Sequence, residues 1–230
     1  MPRTARIQPG GVVFHVLNRG NNRAKLFFTD GDYAAFERVL AETLEHVPLR
    51  LLAYCLMPNH WHLLLWPRRD GQLGGFMQRL TTTHARRWRS ARRRVGEGHV
   101  YQGTYKSFPV QDDMHLLAVG RYVERNALRS GLVARAETWR WCSLWRRRHP
   151  GVTADVPLLS AWPLPPPRNW VQRVNQPETD EEVAAVRTSL QRGRPFGDES
   201  WQRRTAARLA LIHTFRPRGR PRRTPAPNDK

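Results

Sequence analysis

Two histidines stand one residue apart at His60 and His62, and much later in the chain come Tyr122, Asn126 and Arg129. On a strand, side chains alternate faces, so His60 and His62 point one way while Trp61 joins the core-facing set. Two imidazoles at that spacing can close on one metal ion or one phosphate, although a partly exposed pair at a hairpin end has the same pattern. On a helix, Tyr122, Asn126 and Arg129 fall at i, i+4 and i+7, beside an apolar stripe of Val119, Val123 and Ala127. One face then offers a phenol, a carboxamide and a guanidinium. Tyr122 also fits an aromatic at the edge of the core. Tyr33, Tyr54, Tyr101 and Tyr105 read better as strand or core residues, and Tyr122 alone is flanked by arginines on an amphipathic helix. Together these groups suit chemistry on a phosphodiester. A divalent cation held by His60, His62 and the Asn126 carboxamide keeps positions open for phosphate oxygens and water, which fits Mg²⁺ or Mn²⁺. Tyr122, a turn before Asn126, is then placed to attack phosphorus. A phosphotyrosine conserves bond energy, so this chemistry implies strand transfer rather than simple hydrolysis.

The elements that must position these residues follow from hydrophobic period and turn signals. Residues 11–20 read as a strand ending in a Gly/Asn turn, and the polar stretch 18–23 serves either as a turn or as a phosphate contact through Asn18, Arg19 and Asn21. Thr29 or Asp30 caps a helix over 32–45. Strands at 49–57 and 60–66 flank the Pro58-Asn59 turn. A helix over 73–93 carries Arg86, Arg87, Arg89, Arg92 and Arg93, with Arg94 next, which suits a phosphate backbone as well as the helix dipole. Residues 100–110 read as a fourth strand, and Asp112 or Asp113 caps a helix from 114 to 129 that stops at Gly131. The order β-α-β-β-α-β followed by a helix predicts an α+β, ferredoxin-like antiparallel sheet with helices on one face, an added catalytic helix and a basic C-terminal extension. The division expected is a catalytic domain over 1–150, a Pro-rich linker over 151–168 and a basic helical, partly disordered DNA-binding extension over 169–230, with helices near 180–190 and 200–211. Arg-Gly-Arg-Pro occurs at 192–195 and at 218–221. The first copy reads as a turn. The second, with Arg218, Arg220 and Arg222, is either an AT-hook-like minor-groove element or a generic basic tail.

Composition bounds the partner. The 230 residues carry 39 Lys and Arg against 19 Asp and Glu, a formal net charge of +20. Such an excess calls for a polyanion, of which nucleic acid is the commonest. No apolar run approaches the roughly 18 residues of a membrane-spanning helix, and residues 1–6 lack a signal-peptide hydrophobic region. Cys55 and Cys142 are far apart without a CxxC, so neither a disulfide framework nor a cysteine zinc site is expected. The chain is expected to be cytoplasmic and nucleoid-associated.

With these residues in view, a family resemblance emerges. Tyr54-Cys55-Leu56-Met57-Pro58-Asn59-His60-Trp61-His62 and Arg121-Tyr122-Val123-Glu124-Arg125-Asn126 resemble the single-tyrosine HUH transposases, and more closely the REP-associated tyrosine transposases, relatives of the single-strand insertion-sequence transposases. Residues 16–21, 101–108 and 139–143 look like the same family, so the match covers roughly 5–150. The resemblance implies that His60 and His62 are metal ligands, Asn126 a metal-assisting residue and Tyr122 the nucleophile forming a 5′-phosphotyrosine. It implies a single-stranded DNA substrate near the hairpin of a repetitive extragenic palindrome, with a short guide tetranucleotide. Arg121, Arg125 and Arg129 join the expected DNA contacts. Ala127 stands where many relatives have proline, which predicts a straighter helix here. Two competing readings keep the fold without the chemistry: a non-catalytic hairpin-binding protein, and an RNA binder stacking bases on sheet aromatics.

Overall fold

The apolar runs become strands β1 (Val13–Arg19), β2 (Arg50–Met57), β3 (His60–Trp66) and β4 (Lys106–Val110). The computed structural model describes residues 7–93, 96, 98–151 and 157–216. The strands pair antiparallel in the order β2-β3-β1-β4, the ferredoxin-like arrangement expected. A turn at Pro58-Asn59 links β2 to β3, and a bulge near Leu52 shifts the register between Leu51 and Ala53. The fourth strand is shorter than its sequence suggested. Tyr101 makes only a lone bridge to Gly20, and Gly103 adopts φ +158, so pairing starts at Lys106.

Period-2 alternation sorts the side chains into two apolar layers. Phe14, Val16, Tyr54, Trp61, Leu63 and Leu65 pack against α1 (Asp30–His46) and α2 (Gln72–Ala91), through Phe36, Leu40, Phe76 and Leu80 among others. The Asp32 carboxylate starts α1 by accepting the Phe28 and Thr29 amides at 2.8 and 3.1 Å. Val13, Leu52, Cys55, Leu64 and Phe108 face the opposite way, onto α3 (Met114–Glu124) and the chain after it. The expectation of helices on one face holds for α1 and α2 only. The other face is covered by α3 and the extension, because Trp162, Trp170, Val174 and Val186 supply an apolar surface that the sheet buries. Burying a side chain of that size contributes about 1.5–3 kcal/mol. Packing on both faces buries the sheet aromatics Phe14, Tyr54, Trp61 and Phe108, so they offer no open platform for base stacking.

The expected helix over 114–129 is interrupted at Arg125, giving α3 and a short α4 (Asn126–Arg129). Ala127 does not make it continuous. Gly131, at φ +69, ends it as anticipated, with Gly131 N–H on Leu128 O and Leu132 N–H on Ala127 O, both at 3.0 Å, the paired bonds of a Schellman stop. Beyond lie α5 (Ser143–Arg148), α6 (Trp170–Asn175), α7 (Asp180–Arg192) and α8 (Glu199–Arg208). Gly193, in the first Arg-Gly-Arg-Pro copy, caps α7 at φ +72. Both sheet edges are covered by later segments. Phe196 exchanges backbone bonds with Pro109 and Gln111 beside β4, both at 2.9 Å. On the β2 side Trp141 O accepts from Leu56 N–H, and Ser160 N–H reaches Leu51 O. Cys55 and Cys142, distant in sequence, face each other across a lone bridge there as buried free thiols. Among the described residues no helix is long and apolar enough to cross a membrane.

Candidate active site

The head of β3 and the α3–α4 junction meet in a cleft of about 460 Å³. His60 and His62 come from β3, with ring centroids 5.1 Å apart. The two differ in burial, since His62 is only 2% exposed while His60 is half-buried. Tyr122 lies edge-on to His62, with centroids 5.8 Å apart. The Arg129 guanidinium covers the Tyr122 ring at 4.0 Å, and its Nη2 donates to Tyr122 O at 3.2 Å. Its Nη1 pairs with Glu178 of the extension at 2.7 Å. Asn126 is buried in the same cleft, and its Nδ2 has no hydrogen-bond partner.

Neighbouring groups hold the two imidazoles through their Nδ1 atoms. Asn59 Nδ2 donates to Arg23 O at 3.2 Å, which fixes the amide so that its Oδ1 faces His60 Nδ1 at 2.7 Å. His60 therefore carries its proton on Nδ1 and a lone pair on Nε2. His62 Nδ1 lies 2.8 Å from Nε2 of His15, a fully buried residue of β1. Burial, reinforced by Arg19 and Arg129, lowers the His60 pKa to about 4. Burial and then Arg129 bring His15 to about 3, and burial holds His62 well below its ordinary value. All three rings are neutral at pH 7, as metal ligation requires.

The donor set fits a divalent cation. Two imidazole nitrogens and the Asn126 carboxamide line one cleft with Arg19, Arg23, Lys106, Arg129 and Arg187, and no carboxylate is among the lining residues. A cation would be met by Asn126 Oδ1, while the orphaned Nδ2 donor suits an oxygen of the substrate. Among the described residues no three His, Cys, Asp or Glu side chains gather as a metal site. A cation here therefore depends on the carboxamide and on substrate oxygens.

The other expected DNA contacts divide. Arg19 lines this cleft. Asn18, one residue earlier, points to the opposite face, where its side chain bonds Gly103 O and the Arg19 amide; with Asn21, Arg86 and Arg89 it lines a second groove beside α2. Arg87 is held by Glu42 in a two-bond pair at 2.8 Å, and Arg89 bonds Gly98 O. Arg93 is exposed at φ +52. Arg121 and Arg125 face away from the cleft. Arg121 donates to Gln176 O and Pro177 O, and Arg125 to Val174 O and Asn175 O, so both bind the extension's backbone. Arg125 is attracted by carbonyls at the C-terminal end of α6, and Arg121 by those of the two residues that follow the helix. Arg94, Arg218, Arg220 and Arg222 lie outside the described residues.

Several residues were missed from sequence: Lys106 and, on α7, Arg187 with Gln191 in the cleft, and His15 buried behind His62. His15 was legible in principle. Once β1 pairs with β3, Leu17 sits opposite His62, which makes His15 the diagonal neighbour of His62 on one face.

A family model described as transposase IS200-like matches residues 10–126, a span that holds His60, His62, Tyr122 and Asn126. A protein of Haemophilus influenzae assigned by name to the REP-associated tyrosine transposases is 26% identical over 145 residues, covering 60% of this chain and 81% of that protein. Among solved structures, a REP-associated tyrosine transposase bound to a REP hairpin aligns with a TM-score of 0.49 at 16% identity, over 70% of this chain and 93% of that one.

Proposed function

The chain belongs to the IS200-like transposase family, and from that premise we propose that it cuts and rejoins single-stranded DNA beside a palindromic hairpin, with Tyr122 as nucleophile. One observation carries the reading: a buried phenol lies edge-on to His62, in a cleft that His60 shares and that five cationic side chains line. The name of the Haemophilus influenzae relative supports repetitive extragenic palindromes as the substrate class.

In this reading Arg19, Lys106 and Arg187 bind backbone phosphates in the cleft, and Arg129 keeps the Tyr122 ring in place for attack. Tyr122 Oη forms a bond to phosphorus as the bond from phosphorus to the 3′ oxygen breaks, leaving a 5′-phosphotyrosine and a free 3′-hydroxyl. Attack by another 3′-hydroxyl reverses the exchange and joins strands. His60 and His62 through Nε2, with Asn126, would hold Mg²⁺ or Mn²⁺, which supplies charge neutralisation and orientation of the scissile phosphate. The cationic lining stabilises charge that develops on the phosphoryl oxygens.

End-labelled single-stranded hairpin DNA, incubated with the protein and Mg²⁺ or Mn²⁺ and run on a denaturing protein gel, tests this. A metal-dependent, protease-sensitive adduct is expected, lost with EDTA and in Tyr122→Phe. Hairpin affinity of that variant should stay within about threefold, under 1 kcal/mol. An adduct that survives in Tyr122→Phe would show the nucleophile to be another residue. Tight hairpin binding with no adduct in any metal would favour a binding-only protein.

A further inference from the structure

His62 has two ring nitrogens, and the structure engages one of them before any ligand arrives. Its Nδ1 lies 2.8 Å from His15 Nε2, so Nε2 is the nitrogen left for the cleft. A bond between two neutral imidazoles has one proton in it, and that proton can belong to either ring. If His15 holds it, His62 carries its own proton on Nε2 and offers the cleft a donor. If His62 holds it, His62 Nε2 offers the cleft a lone pair. His15 is completely buried, its ring packed 4.8 Å from Phe108 and 6.3 Å from Tyr122, and its Nδ1 has no partner. That leaves one unsatisfied nitrogen in both arrangements, a donor in one and an acceptor in the other, so the orphan does not decide between them. The cleft does. Arg19 and Arg129 line it, and guanidinium groups favour a lone pair over an N–H directed towards them.

We propose that His15 is a positioning residue: it accepts the His62 Nδ1 proton and so holds His62 with its Nε2 lone pair facing the cleft. His15 does for His62 what the Asn59 amide does for His60. Both orienting groups come from outside the His-Trp-His triplet, one from the hairpin turn and one from β1. Ligating histidines are generally fixed through their second nitrogen in this way, and loss of the partner costs about 10–100-fold in metal affinity. The inference rests on the metal role given to His60 and His62 above.

The test uses ring ¹⁵N shifts of the full chain without metal, and Mn²⁺ titration calorimetry, on wild type, His15→Phe, His15→Gln and His62→Ala. Phe keeps the ring volume beside Phe108 but cannot accept a proton, whereas Gln can accept through Oε1. Wild-type His62 should carry its proton on Nδ1. His15→Phe should show a mixture of His62 tautomers and bind Mn²⁺ about 10–100-fold more weakly, and His15→Gln should regain most of that loss. An Nε2–H tautomer in wild-type His62, or a His62 tautomer and Mn²⁺ affinity that His15→Phe leaves unmoved, would overturn the proposal. If Mn²⁺ binds wild type and His62→Ala equally, the metal reading fails. The metal-free tautomers then still decide what His15 does.

Discussion

His60 and His62 look interchangeable in the sequence and are not so in the fold. His60 is half-buried and leans on a partly exposed turn, so His60→Ala should abolish the metal-dependent adduct while urea unfolding changes little. His62 is buried against His15, and His62→Ala leaves His15 Nε2 without its partner. That variant should also lose the adduct, but at a cost of about 1–3 kcal/mol in stability. A metal-dependent adduct that persists in either variant would remove that histidine from the ligand set. The triplet was legible because spacing alone puts His60 and His62 on one face of one strand, and Tyr122 and Asn126 still share the cleft although the helix expected to carry both breaks at Arg125. His15 was not legible, because a single histidine inside the apolar run 12–17 has no partner until strands are paired. The arginines misled for a related reason. Sequence reports how much positive charge there is, and only packing reveals that Arg121 and Arg125 are engaged by carbonyls of α6 and the residues after it.

At the scale of elements, α3 connects the cleft to the extension. Its Gly120 leaves room for Trp162, whose indole donates to Leu52 O at 2.7 Å. A Cβ at Gly120 would lie 2.0 Å from Trp162 Cη2. Gly120→Ala should therefore displace the indole and cost about 1–3 kcal/mol. A smaller side chain in Trp162→Leu should relieve the clash, so the double variant should be more stable than the sum of the single effects, read by urea unfolding. Strict additivity would mean that the two positions do not touch. Glu178 makes the second connection, pairing with Arg129 at 2.7 Å while that guanidinium covers Tyr122. Glu178→Ala should lower stability by about 1–3 kcal/mol and slow adduct formation by freeing Arg129, and an unchanged adduct rate would separate that pair from the chemistry. The ferredoxin-like order was legible from alternation and turn signals. The cover on the second face was not, because Trp162 and Trp170 flank a proline-rich stretch with no period to read.

Across the whole molecule, buried histidines make the fold sensitive to acid. His15 and His84 have pKa values of about 3 through burial, against about 6.5 in an unfolded chain. Below pH 6.5 the unfolded chain therefore binds protons that the folded chain refuses. Stability falls as pH falls, approaching about 1.4 kcal/mol per pH unit for each such residue, until the folded values are reached. Urea unfolding in EDTA between pH 7.5 and 5 should show this decline. His84→Gln should reduce its slope by one residue's share, separating it from general repulsion at a net charge of +20. A stability that stays flat over that range would mean that the histidines protonate in the folded state.

The covered sheet edges have a consequence in time. All four strands are complete by Val110, but the backbone that closes the β4 edge belongs to Phe196, 86 residues later. At about 5–20 residues per second, the nascent sheet waits roughly 4–17 s for that segment to be made. Throughout that interval β4 has an open edge able to recruit a strand from a neighbouring chain. Ribosomes crowded on one message would hold several such edges close together, so the pace of translation between residues 110 and 196 helps set the yield of native protein.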